Sequence, residues 1–547
     1  MADLPVKKTI SRKSFLYRLA GFAGTIFFVG YIWRLWNKKE PDKIIPGKIL
    51  GANHKTGHKI RSGEMPEPTK VSETNVLIVG GGIAGLSAAR WLTKNGVTSI
   101  RLLELDNKTG GNAAFGENAV SSYPWGAHYL PIPSTSNTEL IEFLEEHKVI
   151  IGYENGLPVY DEFYICHSPE ERLFIHGHWQ EGLVPSFGVP DKDKKQIERF
   201  FEEMNTYRGA IGKDGKQAFA LPIDQSSKDE TYTSLDKISF REYLNDHRFD
   251  SPYLLWYAEY CCRDDYGTLL SDTSAWAGIH YFACRKGKAV NADYSDVLTW
   301  PNGNGWLAEK LKQSCANCIT TQQLAYSVKI ENQKVVIDTY NSSTHQTERI
   351  IADKCIMATP QYVNQYLLKS VSREKDNYAA FSYSPWMVAN IHVKKQPSGK
   401  GADLSWDNVF YGKESLGYVN ASNQKLDLFP GQKMLTYYLP LTQKTPQEAR
   451  KEALEKTHQQ WMETIVKELK VVHPQIENDI VSIDVWLWGH GMIRPTRDFI
   501  WGEARTALRK PIEDKIYFAH SDLGGISIFE EAFYQGIEAA KNILVNV

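Results

Sequence analysis

The stretch Val76-Leu77-Ile78-Val79-Gly80-Gly81-Gly82-Ile83-Ala84-Gly85-Leu86 constrains this chain more than any other. An apolar run rich in β-branched residues reads as a buried strand, and it stops at three glycines. A segment of helical character, Ser87 to Asn95, follows, and Gly96 is placed to end it. Gly80, Gly82 and Gly85 have the G-x-G-x-x-G spacing. In that pattern the first glycine permits a tight turn, the second lets backbone approach a diphosphate, and the third lets the helix pack close to the strand. Ile83 and Ala84 open the helix, whose unpaired N–H groups and positive dipole end suit phosphates. A second strand, Ile100-Arg101-Leu102-Leu103, leads to Glu104 and Leu105, with the acid 19 residues after Gly85. An acid there meets ribose hydroxyls. The competing reading is a glycine-rich turn with no ligand and a surface glutamate.

A chain of 547 residues is too long for one simple core, so two domains are expected. A net charge of −2 offers no basic excess for nucleic acid. Fifteen tryptophans and 28 tyrosines suit aromatic-lined cavities, although large cores use them too. Seven cysteines, an odd number, do not read as a disulfide framework. Cys315-Ala316-Asn317-Cys318 has no partner pair of the kind a zinc site needs, so no metal is expected.

Residues 1–36 are set apart. Lys7, Lys8, Arg12, Lys13 and Arg18 precede the uncharged, mostly apolar or small run Leu19 to Trp33, which is the order of an export signal. Ser11-Arg12-Lys13-Ser14-Phe15-Leu16 resembles a twin-arginine signal, with Lys13 in place of the second arginine. Arg34, Lys38 and Lys39 follow without a small-residue cleavage site, so the segment is also readable as a membrane anchor, though short for a span. Both readings place the protein in the periplasm or on the inner membrane. Residues 37–71, rich in Lys, Gly, Pro and Glu, read as a linker.

Beyond the second strand come Gly110-Gly111-Asn112 and then Trp125-Gly126-Ala127-His128-Tyr129. With the acid before them, these segments resemble the flavin-containing amine oxidase and phytoene desaturase superfamily. The resemblance implies FAD, with Gly110 and Gly111 running backbone past it. It puts Asn112 where many members have an arginine near the phosphates. It implies that the strand carrying Val328 passes the adenine through backbone bonds and that Lys354 to Ala358 lies under the dinucleotide. Oxygen-using amine oxidases of the group carry a lysine near flavin N5. Ala389 or Asn390 falls at that place, which argues against oxygen-dependent amine oxidation. Trp486-Leu487-Trp488-Gly489-His490 is similar to the stretch before the last flavin contact in some relatives. Near the end, the strand Ile516 to Ala519 leads to Asp522, to which the resemblance gives the flavin ribityl chain.

Ser527 and Glu530 have the spacing of a capping box opening a helix that runs to Val545. Its positive end, at Ile528 and Phe529, would face the flavin C2 carbonyl and stabilise the reduced ring. No catalytic residue is identified; Trp488, His128 and His490 are candidates. For His490, a buried histidine bonded to backbone competes with that role. The aromatic and charged stretch Trp256 to Arg285, with Arg263-Asp264-Asp265-Tyr266 and His280, reads more readily as a buried ion-pair network than as substrate contact. Pro446 to Leu469 reads as one long outer helix.

The reading is an α/β flavoprotein. A Rossmann-like FAD-binding domain is drawn from residues 72–137, 289–365 and 480–547, and an inserted mixed α+β substrate domain from 138–288 and 366–479. The resemblance implies an FAD-dependent oxidoreductase of the amine oxidase type, passing a hydride from a C–H bond of a small substrate to flavin N5. The alternatives are a desaturase or dehydrogenase of a lipid-like substrate, and a flavin-dependent mutase or isomerase without net redox change. The electron acceptor is oxygen or a membrane carrier.

Overall fold

The fingerprint strand Lys70–Val79 sits inside a seven-stranded sheet in the computed structural model, which describes residues 45–63, 65–371, 375–424 and 431–545. The expected signal or anchor, residues 1–36, lies outside the described residues. The sheet runs Ile319–Thr320, Ile100–Leu103, Lys70–Val79, Thr347–Met357, Lys334–Asn341, Gln323–Glu331, and Ile516–Phe518 also pairs with Thr347–Met357. Its centre is parallel: Ile78 faces Leu102 on one side and Ile356 on the other. Val76 to Val79 are buried without alternation, because both faces of the sheet are covered. The hairpin Gln323–Glu331 and Lys334–Asn341 adds an antiparallel flank.

The fingerprint helix Ile83–Lys94 follows the strand and packs against the closing helix Phe529–Val545. Their approach is close because Gly536 faces the backbone of Ala84: a Cβ there would lie 2.1 Å from the Ala84 carbonyl oxygen. The two ends of the chain are thus welded beside the glycine turn.

A second, eight-stranded sheet lies beyond. Its order is Ile49–Gly51, Ile480–Ile493, Tyr383–Val393, Lys433–Pro440, Gly417–Asn420, Asp407–Phe410, Glu171–Ile175, His178–Glu181. The strand Ile480–Ile493, expected to belong with the cofactor segments, is bound along its length to Tyr383–Val393 in this second sheet. Only residues after it return to the first sheet. Gly47–Val547 packs as one unit around both sheets.

Two further expectations are corrected. Within the stretch expected as a linker, 37–71, residues 45–63 carry ordered structure: Ile49–Gly51 pairs parallel with Val485–Leu487, and the helical turns His54–Gly57 and Lys59–Ser62 follow. The outer helix is two helices, Pro446–Glu455 and His458–Val472, because Thr457 closes a capping box with Gln460 and restarts the chain. Among the described residues no helix is long and apolar enough to cross a membrane.

Candidate functional site

The glycine turn has the shape the spacing predicts. Gly80 holds φ at +111°, and a Cβ would lie 2.5 Å from the Ala358 carbonyl oxygen. At Gly85 a Cβ would come within 1.9 Å of the Gly80 oxygen, so this residue sets the strand-to-helix distance. Gly82 differs. A Cβ there would find only the Gly111 Cα at 3.9 Å, so the space in front of it is open. Across that space the Gly110 N–H donates to the Gly81 carbonyl at 2.9 Å, and Gly111 takes φ of +56°. Two bare main-chain segments therefore flank one groove, with the first turn at Ile83 and Ala84 at its end. A ligand that needs close backbone approach fits there.

Glu104 stands at the next point along the groove. Each carboxylate oxygen accepts one main-chain N–H, from Gly81 at 2.9 Å and from Asp106 at 2.8 Å. Each oxygen keeps a free lone-pair direction, which suits a pair of ribose hydroxyls. Burial pushes the carboxyl up to about 7 despite those donors. Leu105 turns from the groove and meets Gly57.

Four residues singled out by the sequence have partners within the protein. Val328 is fully buried in the sheet; its carbonyl accepts from Ser370 Oγ at 3.1 Å. The strand reaches the acid earlier, where Gln323 N–H donates to the Glu104 carbonyl at 2.8 Å. Five residues of strand separate the two points, about 16 Å. The Asn112 amide donates to the Gly491 carbonyl, tying the Gly-Gly turn to the second sheet. Asp522 is engaged on both oxygens: Gln361 N–H and the Tyr383 hydroxyl donate to one, and His520 lies 2.9 Å from the other. Those contacts, with the neighbouring imidazole first, hold its carboxyl below the usual range against the burial that raises it. The Ser527 hydroxyl accepts from Ile493 N–H at 2.9 Å instead of closing a capping box with Glu530. The first turn of the closing helix borders the space ahead of it.

That space is a cavity of about 140 Å³ between the sheets. Ile528 and Phe529 form one wall, and Trp386, Val388 and Trp488 another. The Trp488 indole N–H donates to the Trp125 carbonyl at 2.7 Å, which fixes the ring. His128 also lines the cavity, stacked on Tyr438 at 4.7 Å, and burial pushes its imidazole down to about 4. It is therefore neutral at pH 7. His490 does not line this cavity; its ring stacks on Tyr362 at 4.0 Å. Neither Ala389 nor Asn390 does: Ala389 is fully buried, and Asn390 donates to the Pro124 carbonyl at 2.8 Å.

The far wall is charged. Asp264 and Asp265 at the end of helix Pro252–Tyr266, Arg285 after helix Ala275–Ala283, and Glu530 meet there. The Tyr129 hydroxyl donates to Asp265 Oδ1 at 3.3 Å and accepts from Arg285 at 3.0 Å, while Arg285 and Asp265 lie 3.8 Å apart. The Asp264 carboxylate has no hydrogen-bond partner among the described residues. Burial raises both aspartates, Asp264 further through its neighbour Asp265, and burial also pushes Glu530 up to about 7. Three carboxyls thus face one guanidinium. The stretch expected as a buried ion-pair network does hold the Arg285–Asp265 pair, and it also forms a cavity wall; its helical spacing alone does not reveal that two helices end on the same space.

Residues 78–147 match the family model of an NAD(P)-binding Rossmann-like domain. No curated protein matches the chain. Among solved structures, a double mutant of putrescine oxidase superposes at a TM-score of 0.63 with 16% identity, covering 87% of this chain and 100% of its own. Cyclohexylamine oxidase from Brevibacterium oxydans gives 0.61 at 12% identity, over 87% of this chain and 99% of that one. A putative protoporphyrinogen oxidase from Exiguobacterium gives 0.59 at 14% identity, over 88% and 100%. The chain has the fold these oxidases share: a Rossmann-like α/β domain joined to a second mixed sheet.

Proposed function

We propose that the protein is an FAD-dependent oxidoreductase of the amine oxidase type, acting on a substrate that enters as a cation. The observation that carries this is the alignment of one groove and one cavity. Bare backbone at Gly82 and Gly111 stands beside Glu104, and Asn112, next to Gly111, lines the cavity at which the closing helix starts. Open space before Gly82 and spare lone pairs on Glu104 fit the diphosphate and ribose of FAD. Bound there, FAD supplies a hydride acceptor, chemistry that no side chain provides.

The residues of the chain do the rest. The start of the closing helix at Ile528 to Glu530 offers positive partial charge where negative charge grows on reduction. Asp264, a wall carboxylate without a hydrogen-bond partner among the described residues, receives an ammonium group. Arg285 is already held by Tyr129 and Asp265, so it orients the acid pair. Trp386 and Trp488 confine the carbon chain and exclude water. Asp264 is raised by burial, so it loses its proton as pH rises through its shifted range, and cation uptake strengthens with it. No lysine lines the cavity among the described residues, which favours an electron acceptor other than oxygen. A carrier at the periplasmic or inner-membrane face goes with the N-terminal signal or anchor.

The test is anaerobic mixing of FAD-loaded protein with primary amines and with lipid-like donors. Bleaching by amines, with affinity that rises with pH through the neutral range, is the expected result. Bleaching by uncharged lipids alone favours the desaturase reading, and flavin that stays oxidised with every donor favours the mutase reading.

A further inference from the structure

Residues 47–63 carry Lys48, Lys55, Lys59 and Arg61, with His54 and His58, and no acid. This basic strap crosses between the two sheets. Ile49–Gly51 is bound to the edge of the eight-stranded sheet. Asn53 N–H then donates to Asp106 Oδ1 at 2.8 Å, two residues beyond the ribose acid. Ile60 is buried and holds the strap down. Lys59 lies 4.6 Å over the Tyr340 ring, and the Arg61 guanidinium lies 5.8 Å over Tyr366.

Beneath the strap is His490, stacked on Tyr362. Burial and then the charges of Arg450, Arg61 and His58 push its imidazole down to about 3. Arg450 is fixed by its bond to the Gly489 carbonyl at 2.8 Å. The next residue after His490 is Gly491, whose carbonyl holds the Asn112 amide, and Asn112 follows the Gly-Gly pair opposite Gly82. The positive groups thus stand at the outer side of the same glycine seam.

The cations nearest that seam in sequence are Lys108 and Arg90. Asn112 is neutral and engaged. Lys108 lies over the Phe115 ring, and Arg90, the first cation in the fingerprint helix, pairs with Glu146. The helix start at Ile83 offers a diphosphate in the groove only partial positive charge. We propose that Arg61 on the strap, facing Arg450, supplies the positive charge that meets the cofactor diphosphate, in place of a cation at Asn112. This rests on the FAD reading. It assigns a binding role to residues that read as a linker.

The experiment uses full-length protein freed of flavin, and follows quenching of flavin fluorescence on adding FAD or riboflavin at several salt concentrations. With Arg61→Gln, the dissociation constant for FAD rises at least tenfold and its salt dependence flattens. Riboflavin, which lacks phosphate, binds R61Q and the native protein equally. Arg61→Lys keeps most of the affinity and the salt dependence. Inorganic pyrophosphate competes with FAD in the native protein and less in R61Q. Equal FAD binding by R61Q and native protein overturns the proposal, and so does an equal loss for FAD and riboflavin. Failure of the native protein to bind FAD at all overturns the cofactor reading itself, a separate outcome.

Discussion

Substituting Gly82 by alanine separates a glycine kept for a ligand from one kept for the fold. Gly82 has φ of −73° and ψ of −175°, a conformation alanine adopts without strain. The added Cβ meets nothing nearer than the Gly111 Cα at 3.9 Å. Gly-to-Ala at such a position stabilises by about 0.4–1 kcal/mol through the unfolded chain. The flavin-free protein therefore melts at the same temperature or slightly higher. The methyl nevertheless occupies the space a diphosphate needs, so FAD affinity falls at least tenfold, about 1.4 kcal/mol. Gly85→Ala is the contrast. Its Cβ would lie 1.9 Å from the Gly80 oxygen, where ordinary contact begins at 3.4 Å. Helix and strand must separate by about 1.5 Å, at a cost of about 1–3 kcal/mol or more. Thermal unfolding without flavin and FAD titration of both variants are the assays. A G82A protein that binds FAD as the native one does, or one that unfolds like G85A, refutes the reasoning.

The remaining predictions concern the buried charges. Glu104, Glu530 and Glu531 are each raised from 4.5 to about 7, chiefly by burial, so above pH 6.5 the folded chain holds protons that the unfolded chain has lost. Stability of the flavin-free protein therefore falls as pH rises from 6.5 to 8. Buried histidines such as His128 and His280, lowered to about 4, act in the opposite direction, but only below 6.5. Denaturant unfolding at the two pH values checks this, and Glu531→Gln flattens the slope; stability that rises over that window contradicts it. Asp264→Asn raises the amine concentration for half-maximal flavin reduction about tenfold or more and removes its pH dependence, with little change in melting; stopped-flow traces identical to those of the native protein refute the assignment. Tyr383→Phe removes one donor from the buried Asp522 carboxylate and lowers stability by about 1–3 kcal/mol, read by urea unfolding.

What the sequence discloses here follows from how local each interaction is. The strand, turn and helix around Gly80 to Gly85 are fixed by neighbours within a few residues, and Glu104 by one more strand, so spacing alone reveals them. The helix start at Ile528 and Phe529 is also legible, although Ser527 bonds Ile493, 34 residues away, and not Glu530. Val328 is assigned to the adenine by the resemblance alone, because a backbone contact leaves no side-chain signature; strand register places Gln323 beside the acid. Asp264 and Arg285 lie on separate elements, and only the ends of two packed helices make them one wall. The strap was read as a linker because its composition is polar, whereas its order comes from pairing with a strand more than 400 residues away. Asp522 lies on the segment the resemblance indicates; one oxygen meets Gln361 and Tyr383, distant in sequence, and the other meets His520, two residues before it.

The absorbance spectrum of the full chain, purified, mixed with excess FAD and passed through a desalting column, tests the central claim most directly. The account predicts a retained flavin spectrum that bleaches on anaerobic addition of an amine. A colourless protein after that treatment, with its fold intact by circular dichroism, contradicts it.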